Sequence, residues 1–538
     1  MATRTATKTG VWSDVTVWDG GATLPEAGDT VKPNGYTVTI DMNVTVVALD
    51  NSTTDGGFAV SSARTINANV IAGDGATCLT ITGANAITIN GNISSGTGFV
   101  GVYHNGSGTV TINGAVTGGT GASGFGARNI FSGTLIVNGA VTGGANASAA
   151  GIRNNTGAVI INGNVTAATG PGLTNSGTGS STVTGTVTGG SGASAHGVLN
   201  SSTGTANVIG NVVSGSHATA YGVQNSGGGT VNVTGNVTGS STTPGANNAS
   251  TGTITVTGNV TGGSGAAAYG INNASTGTIT VTGNVTGGSH ATAYGIYNAS
   301  TGTVTGAIAA AGSATATGVY AAGASAITLA SVTGGNGAGV YGAHNASTGT
   351  ITVTGNATGG SGAASFGALN ASTGWVAVYG LATAGSGSGS AAVGNTGGGA
   401  ASVFYPAGGV KVRPTDLAAG RGSYDLAASM VNLVVTKAAS GDQHLITAPP
   451  SGRRIAITYA RAQLSSGVTN ATVVLLKANG VTVDKVALDS NTPGAVLIDA
   501  ADVTQWRLLP VGVGAVINLS GAFSTDFVVR YLTIEPES

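Results

Sequence analysis

The chain has 538 residues, 96 of them glycine, and only 7% are charged, against about 25% in ordinary globular domains. A net charge of -1 without clustered Lys or Arg excludes binding to a phosphate backbone, so no nucleic-acid partner is expected. The single cysteine, Cys78, excludes an intrachain disulfide framework. No run of 18 apolar residues is present, so no membrane insertion is expected.

Val, Ile and Thr recur at regular intervals, which argues against the disorder that so much Gly and Ser would otherwise suggest. The acids are partitioned. Eight lie between Asp14 and Asp74, ten between Asp416 and Glu537, and none from 75 to 415. Before Lys411, the only basic residues of that stretch are Arg128 and Arg153. The chain is therefore read as an N-terminal cap with the first coils (1-75), a repeat shaft (76-380), a linker or exit region (381-428) and a C-terminal domain (429-538).

The N-terminus, MATRTATKTGVWSD, has no apolar signal core. Synthesis in a host cytoplasm without a secretory signal is expected, with release by another route such as host lysis. Val11-Trp12-Ser13-Asp14, Trp18-Asp19-Gly20-Gly21, Pro25-Glu26-Ala27-Gly28-Asp29 and Gly35-Tyr36-Thr37-Val38-Thr39-Ile40-Asp41 read as alternating strands with tight turns. This segment resembles the G8-like start of β-helices in bacterial surface proteins and phage fibres. A solenoid needs a covered first coil, and Trp12 and Trp18 are large enough to cover it.

In the middle, a motif of Gly, a small apolar residue, any residue and Asn recurs, most often every 25 residues. Its asparagines are Asn129, Asn154, Asn175, Asn200, Asn225, Asn248, Asn273, Asn298, Asn345 and Asn370. His104 and Ala321 occupy the same place in two further copies. Within one repeat, Thr253-Ile254-Thr255-Val256-Thr257 alternates and reads as a strand with one buried face. Gly258-Asn259 is a turn signal, Val260-Thr261 a second strand, and Ala267 to Ile271 a third that ends at Asn273. Three strands per repeat make one coil of a right-handed parallel β-helix, in which stacked coils bury a common core. Twelve coils at about 4.8 Å give a shaft of roughly 55 Å. The asparagines are read as a structural ladder, since Asn tolerates turns and stacks along such an axis. Short coils shared among three chains fit the repeat as well.

The pattern decays after Trp375. From about Ser429 apolar and polar residues alternate in eight runs, 431-437, 443-447, 453-461, 471-478, 481-487, 494-499, 514-519 and 526-534. They read as a jelly-roll-like β-sandwich. Arg453-Arg454-Ile455-Ala456-Ile457, Thr472-Val473-Val474-Leu475-Leu476-Lys477, Trp506, Val516-Ile517-Asn518-Leu519-Ser520 and Val528-Val529-Arg530-Tyr531 are similar to the small C-terminal β-sandwich of many tailed-phage virion proteins. The family's Gly-Lys is Arg453-Arg454 here, and its Leu-Lys-Ser is Leu476-Lys477-Ala478. The resemblance implies an all-β virion fibre or spike. It further implies a homotrimer joined at one end to other virion proteins and a receptor- or glycan-binding surface for host attachment.

No chemistry is evident in the shaft. Glycoside hydrolysis uses two carboxylates, and the stretch 75-415 has none. His196 stands where other coils have Tyr221, Tyr269 and Tyr294. His217 and His290 are three coils apart, roughly 15 Å, too far to share a metal. His104 and His344 are isolated, and all are read as polar turn residues. The glycine-rich strings carry no phosphate-binding information in such a chain. No catalytic residue, no metal and no cofactor is expected, and the protein is expected not to be an enzyme. Exposed aromatics such as Tyr459 and Trp506 are the candidate binding residues. Three other readings compete. A bacterial surface adhesin would need a secretion signal or anchor. An ice-binding solenoid is suggested by the Thr ranks at 253-257, 278-282 and 350-354. A depolymerase with its site in an end domain would draw on Asp484, Asp489, Asp499 and Asp502.

Overall fold

The computed structural model describes residues 2-403, apart from short stretches at 53-56, 61, 74-78, 98-99, 122, 147-148, 291, 314, 384-389 and 397-399. Beyond 403 it describes the backbone of nine strands between Met430 and Ile534. The chain is a parallel β-solenoid of about 15 turns at roughly 24 residues per turn. Its one described helical element is a 3-10 turn, Val15–Val17. No helix is long and apolar enough to cross a membrane. Two compact units divide it, Met1–Ala316 and Thr317–Ser538.

In the first unit, each coil carries three strands. Thr253–Thr257 buries Ile254 and Val256 and leaves the threonines outward, as the alternation dictates. Val260–Thr261 buries its valine. The third strand is Ile271–Asn273, shorter than the stretch from Ala267 expected from sequence. The reason is local: Ala267 holds a positive φ of 59°. The chain also folds back so tightly that a Cβ on Gly262 would stand 2.1 Å from the Ala268 carbonyl oxygen.

Like stacks on like. Thr253, Ile254, Thr255 and Val256 pair in parallel register with Thr278, Ile279, Thr280 and Val281. Ile271 and Asn273 pair with Ile296 and Asn298. The period of the sequence is thus the period of the ladder, and each coil closes the core of its neighbour. The motif glycine follows from close approach. A Cβ on Gly270 would lie 2.6 Å from Val285 Cγ1 and 2.7 Å from the Gly295 oxygen. A second glycine column, at the Gly-Asn turn, has φ near 155° at Gly258, where a Cβ would meet the Gly235 oxygen at 2.2 Å.

All ten motif asparagines are fully buried. Most amides close their own turn: Asn273 Nδ2 donates to the Gly277 oxygen at 3.0 Å and Asn298 Nδ2 to Gly302 at 2.8 Å. Coil-to-coil amide bonds join Asn200 to Asn225 (3.2 Å) and, in the second unit, Asn345 to Asn370 (3.1 Å). His104 sits in the same column, in register with Asn129. It is fully buried on the strand Val102–Gly106, not in a turn. Two further columns run along the outside. Asn90, Asn113, Asn138 and Asn162 each donate to the asparagine one coil back at 2.6–2.7 Å. At the Gly-Asn turns, Asn259 N–H donates to Asn236 Oδ1 and Asn284 N–H to Asn259 Oδ1.

The start of the chain is parallel as well: Thr3–Thr5 pairs with Thr30–Lys32, and Thr37–Ile40 with Gly57–Val60. Trp12 and Trp18 are buried edge to face, with ring centroids 4.8 Å apart. Trp18 Nε1–H donates to the Trp12 carbonyl at 3.0 Å. Their burial serves packing and leaves no ring face for a ligand.

In the second unit, parallel pairing runs on past Trp375: Trp375–Val378 pairs with Ala400–Val403. The nine later strands pair antiparallel. Met430–Lys437 and Arg454–Leu464 flank Thr525–Ile534. Gly441–Ile446 and Thr472–Ala478 flank Ala515–Leu519.

Candidate functional site

The strand of the Gly-x-x-Asn motif turns only its middle residue outward, because the residues on either side fill the core. The residue before the motif glycine lies beside it. These two positions repeat in every coil, so any side chain placed there forms a column along the solenoid. In the first unit those columns carry Tyr103, Phe125, Arg128, Arg153, His196, Tyr221, Tyr269, Tyr294 and Tyr297.

At one end of this face, Tyr269 and Tyr294 lie parallel, with centroids 5.5 Å apart and planes 4° apart. Tyr297 leans on both, at 4.9 and 5.9 Å. Stacked pairs of this kind contribute about 0.5–1.5 kcal/mol beyond their buried area, so the cluster is held rigidly. Burial pushes the Tyr269 phenol up to about 12, with the neighbouring phenols of Tyr297 and Tyr294 adding to the effect. It stays a neutral hydroxyl. Among the described residues, the hydroxyls of Tyr221 and Tyr269 have no protein hydrogen-bond partner.

In the middle of the face, His196 lies on Tyr221, with centroids 5.3 Å apart. The Tyr221 backbone N–H donates to His196 Nδ1 at 3.0 Å. Burial lowers the imidazole to about 4, so it is neutral near pH 7. Residues 188-191, 214-216 and 239-241, mostly Gly and Ser, line a shallow groove. Its Gly189 stands close to the backbone of His196: a Cβ there would lie 2.7 Å from the His196 oxygen. Amides occupy the same column, with Asn272 Nδ2 donating to the Oδ1 of the buried Asn247 at 2.7 Å.

At the other end, Arg128 and Arg153 are register partners in adjacent coils. The Arg128 guanidinium lies 5.4 Å from the Tyr103 ring centroid and 5.5 Å from that of Phe125, and Arg153 lies 5.6 Å from Phe125. Neither arginine is in an ion pair among the described residues. Like charges so close cost of order 1 kcal/mol, about what the cation–π contacts return. Burial, and then the charge of Arg128, draw Arg153 below the usual guanidinium range.

The remaining histidines divide. His217 and His290 are turn residues, each with Nδ1 against a threonine hydroxyl two residues on, at 3.0 and 3.1 Å. His344, expected in a turn, is on the strand Tyr341–Asn345. Its ring meets Tyr320 and Tyr341 edge-on at 4.9 and 4.7 Å. Burial lowers it to about 4. Among the described residues, no three His, Cys, Asp or Glu side chains gather around a point. Tyr459 is on the strand Arg454–Leu464, its backbone in register with Asp499. Asp484 is on Val481–Leu488. Trp506, Asp489 and Asp502 lie outside the described residues.

The face therefore combines ring surfaces, neutral hydroxyls, amides and two guanidinium groups. That mixture suits a polyhydroxylated ligand, whose C–H faces pack on rings while its hydroxyls meet polar groups. Residue spacing alone missed this face. The signal was present in the column just before each motif glycine, where Phe125, His196, Tyr221, Tyr269 and Tyr294 recur among smaller residues.

No protein-family model matches the chain, and no curated protein matches it. A similar solved structure is the enzymatically active domain of tailspike protein 4 of bacteriophage CBA120. It is 12% identical, with a TM-score of 0.20, and the match covers 94% of this chain and 64% of that one. This chain thus spans slightly less than two thirds of the length of the structure it matches. At that score the likeness transfers no residue role. It does correct one expectation. The protein was expected not to be an enzyme because its shaft lacks carboxylates, yet the similar structure is described as an enzymatically active domain. The expectation does not stand. It generalised from 75-415 to a chain whose 18 carboxylates all lie outside that stretch.

Proposed function

We propose that this chain is a bacteriophage tail protein whose solenoid face binds a polysaccharide on the host cell surface. The observation that carries the reading is the column Tyr269, Tyr294 and Tyr297, stacked on one face, with the Tyr269 phenol held neutral. His196 stacked on Tyr221 continues that column. The virion assignment draws on the parallel solenoid and on the resemblance of 453-531 to phage C-terminal sandwiches and of 11-41 to G8-like starts. In this reading the protein is a homotrimer, held at one end by other virion proteins, with 430-534 as a terminal β-sandwich.

The test is sedimentation of the purified chain with host cells, in competition with the purified surface polysaccharide. Reducing ends are followed in the same tubes, so that any cleavage registers alongside binding. Saturable binding relieved by the polysaccharide supports the reading. Binding that is indifferent to the polysaccharide, or no binding, overturns it.

A further inference from the structure

Arg128 and Arg153 are the only cationic side chains between residues 75 and 410, a stretch without a single carboxylate. A structural arginine is ordinarily neutralised, and these two are not. They occupy the same position in adjacent coils, so the fold sets one charge directly beside the other. Phe125 and Tyr103 lie against the guanidinium groups and hold them there. Of the donors the pair offers, the one bond among the described residues is Arg153 Nε to the Ser176 hydroxyl at 3.3 Å. Arg128 Nε is buried without a hydrogen-bond partner among the described residues. Guanidinium forks match the two or three oxygens of an oxyanion.

We propose that Arg128 and Arg153 form an anion site that holds an acidic substituent of the bound saccharide, the carboxylate of a uronic acid or a sulfate or phosphate ester. The site rests on the saccharide-binding reading above and narrows it to an acidic polysaccharide. The aromatic column supplies the neutral part of recognition, and the arginine pair selects for charge.

The experiment follows thermal unfolding and isothermal titration of the full chain with sodium glucuronate, sodium sulfate and sodium phosphate at constant ionic strength. Neutral dextran serves as the uncharged probe. At least one anion should raise the melting temperature saturably. Arg128→Gln/Arg153→Gln should lose that rise and weaken anion binding at least tenfold, while Arg128→Lys/Arg153→Lys keeps part of it. Which anion acts tells carboxylate from ester. Should the double variant fail to fold, Arg153→Gln alone gives a second readout: it should bind the anion more weakly than the wild type, and binding as tight as that of the wild type overturns the proposal. No saturable rise with any anion, or an equal rise in the double variant, overturns the proposal. An anion response that persists in Tyr269→Ala/Tyr294→Ala, together with no saccharide binding by the wild type, sinks the saccharide reading and leaves the anion site standing.

Discussion

The ring of His196 lies on that of Tyr221 and accepts the Tyr221 backbone N–H at Nδ1. A protonated imidazole cannot accept that bond, and burial disfavours the charge besides. The folded-state value near 4 lies below the ordinary 6.5. The unfolded chain therefore takes up a proton first as pH falls. The stabilisation is complete above pH 6.5 and is lost between 6.5 and about 4, by at most about 3 kcal/mol. His196→Tyr, which restores the residue of neighbouring coils, should flatten that part of the acid unfolding profile. An unchanged profile would show that the pair does not titrate as described.

Gly270 is fixed by its neighbours. A Cβ there would press on Val285 Cγ1 and the Gly295 oxygen, and backbone in a ladder cannot yield as a side-chain end can. Gly270→Ala should cost about 1–3 kcal/mol in chemical denaturation. Because coils contact only their neighbours, hydrogen exchange should quicken first around residues 245-298.

Asn273 donates to the Gly277 oxygen inside the core. Asn273→Ala removes one of the two donors to that carbonyl, leaving the Thr303 N–H, and opens a small void, so a loss of about 1–3 kcal/mol is expected. Asn273→Asp should be worse at pH 7, since a carboxylate would sit buried beside a carbonyl without a cation. Its deficit should shrink as the pH is lowered enough to protonate the acid.

Much of the fold was legible because identical residues stack. The 25-residue period announced the coil, the Thr-Ile-Thr-Val-Thr alternation its buried face, and the missing carboxylates the neutral middle. The eight apolar runs after Ser429 match eight of the nine described strands there; Arg507–Leu508 was too short to show a period. The strand expected from Ala267 failed because a positive φ at an alanine leaves no mark in composition. His104 was misplaced in a turn because a polar residue at a buried strand position breaks alternation, and His344 because a lone polar residue at an outward position reads equally well as a turn. The candidate face escaped for another reason. Tyr294 and Tyr297 are near in sequence, but Tyr269 meets them only through the coil register, and Arg128 meets Arg153 likewise. That Trp12 and Trp18 are buried was readable from their size.

The central claim is that the stacked tyrosines bind saccharide. The most direct measurement is isothermal titration of the full chain with purified host-surface polysaccharide, comparing wild type with Tyr269→Ala/Tyr294→Ala at matched folding by circular dichroism. The account expects the double variant to bind at least tenfold more weakly while its far-ultraviolet spectrum is unchanged, because the column presents ligand-facing groups on a backbone built by Gly, Val and Asn. Equal affinity in a correctly folded double variant would contradict it.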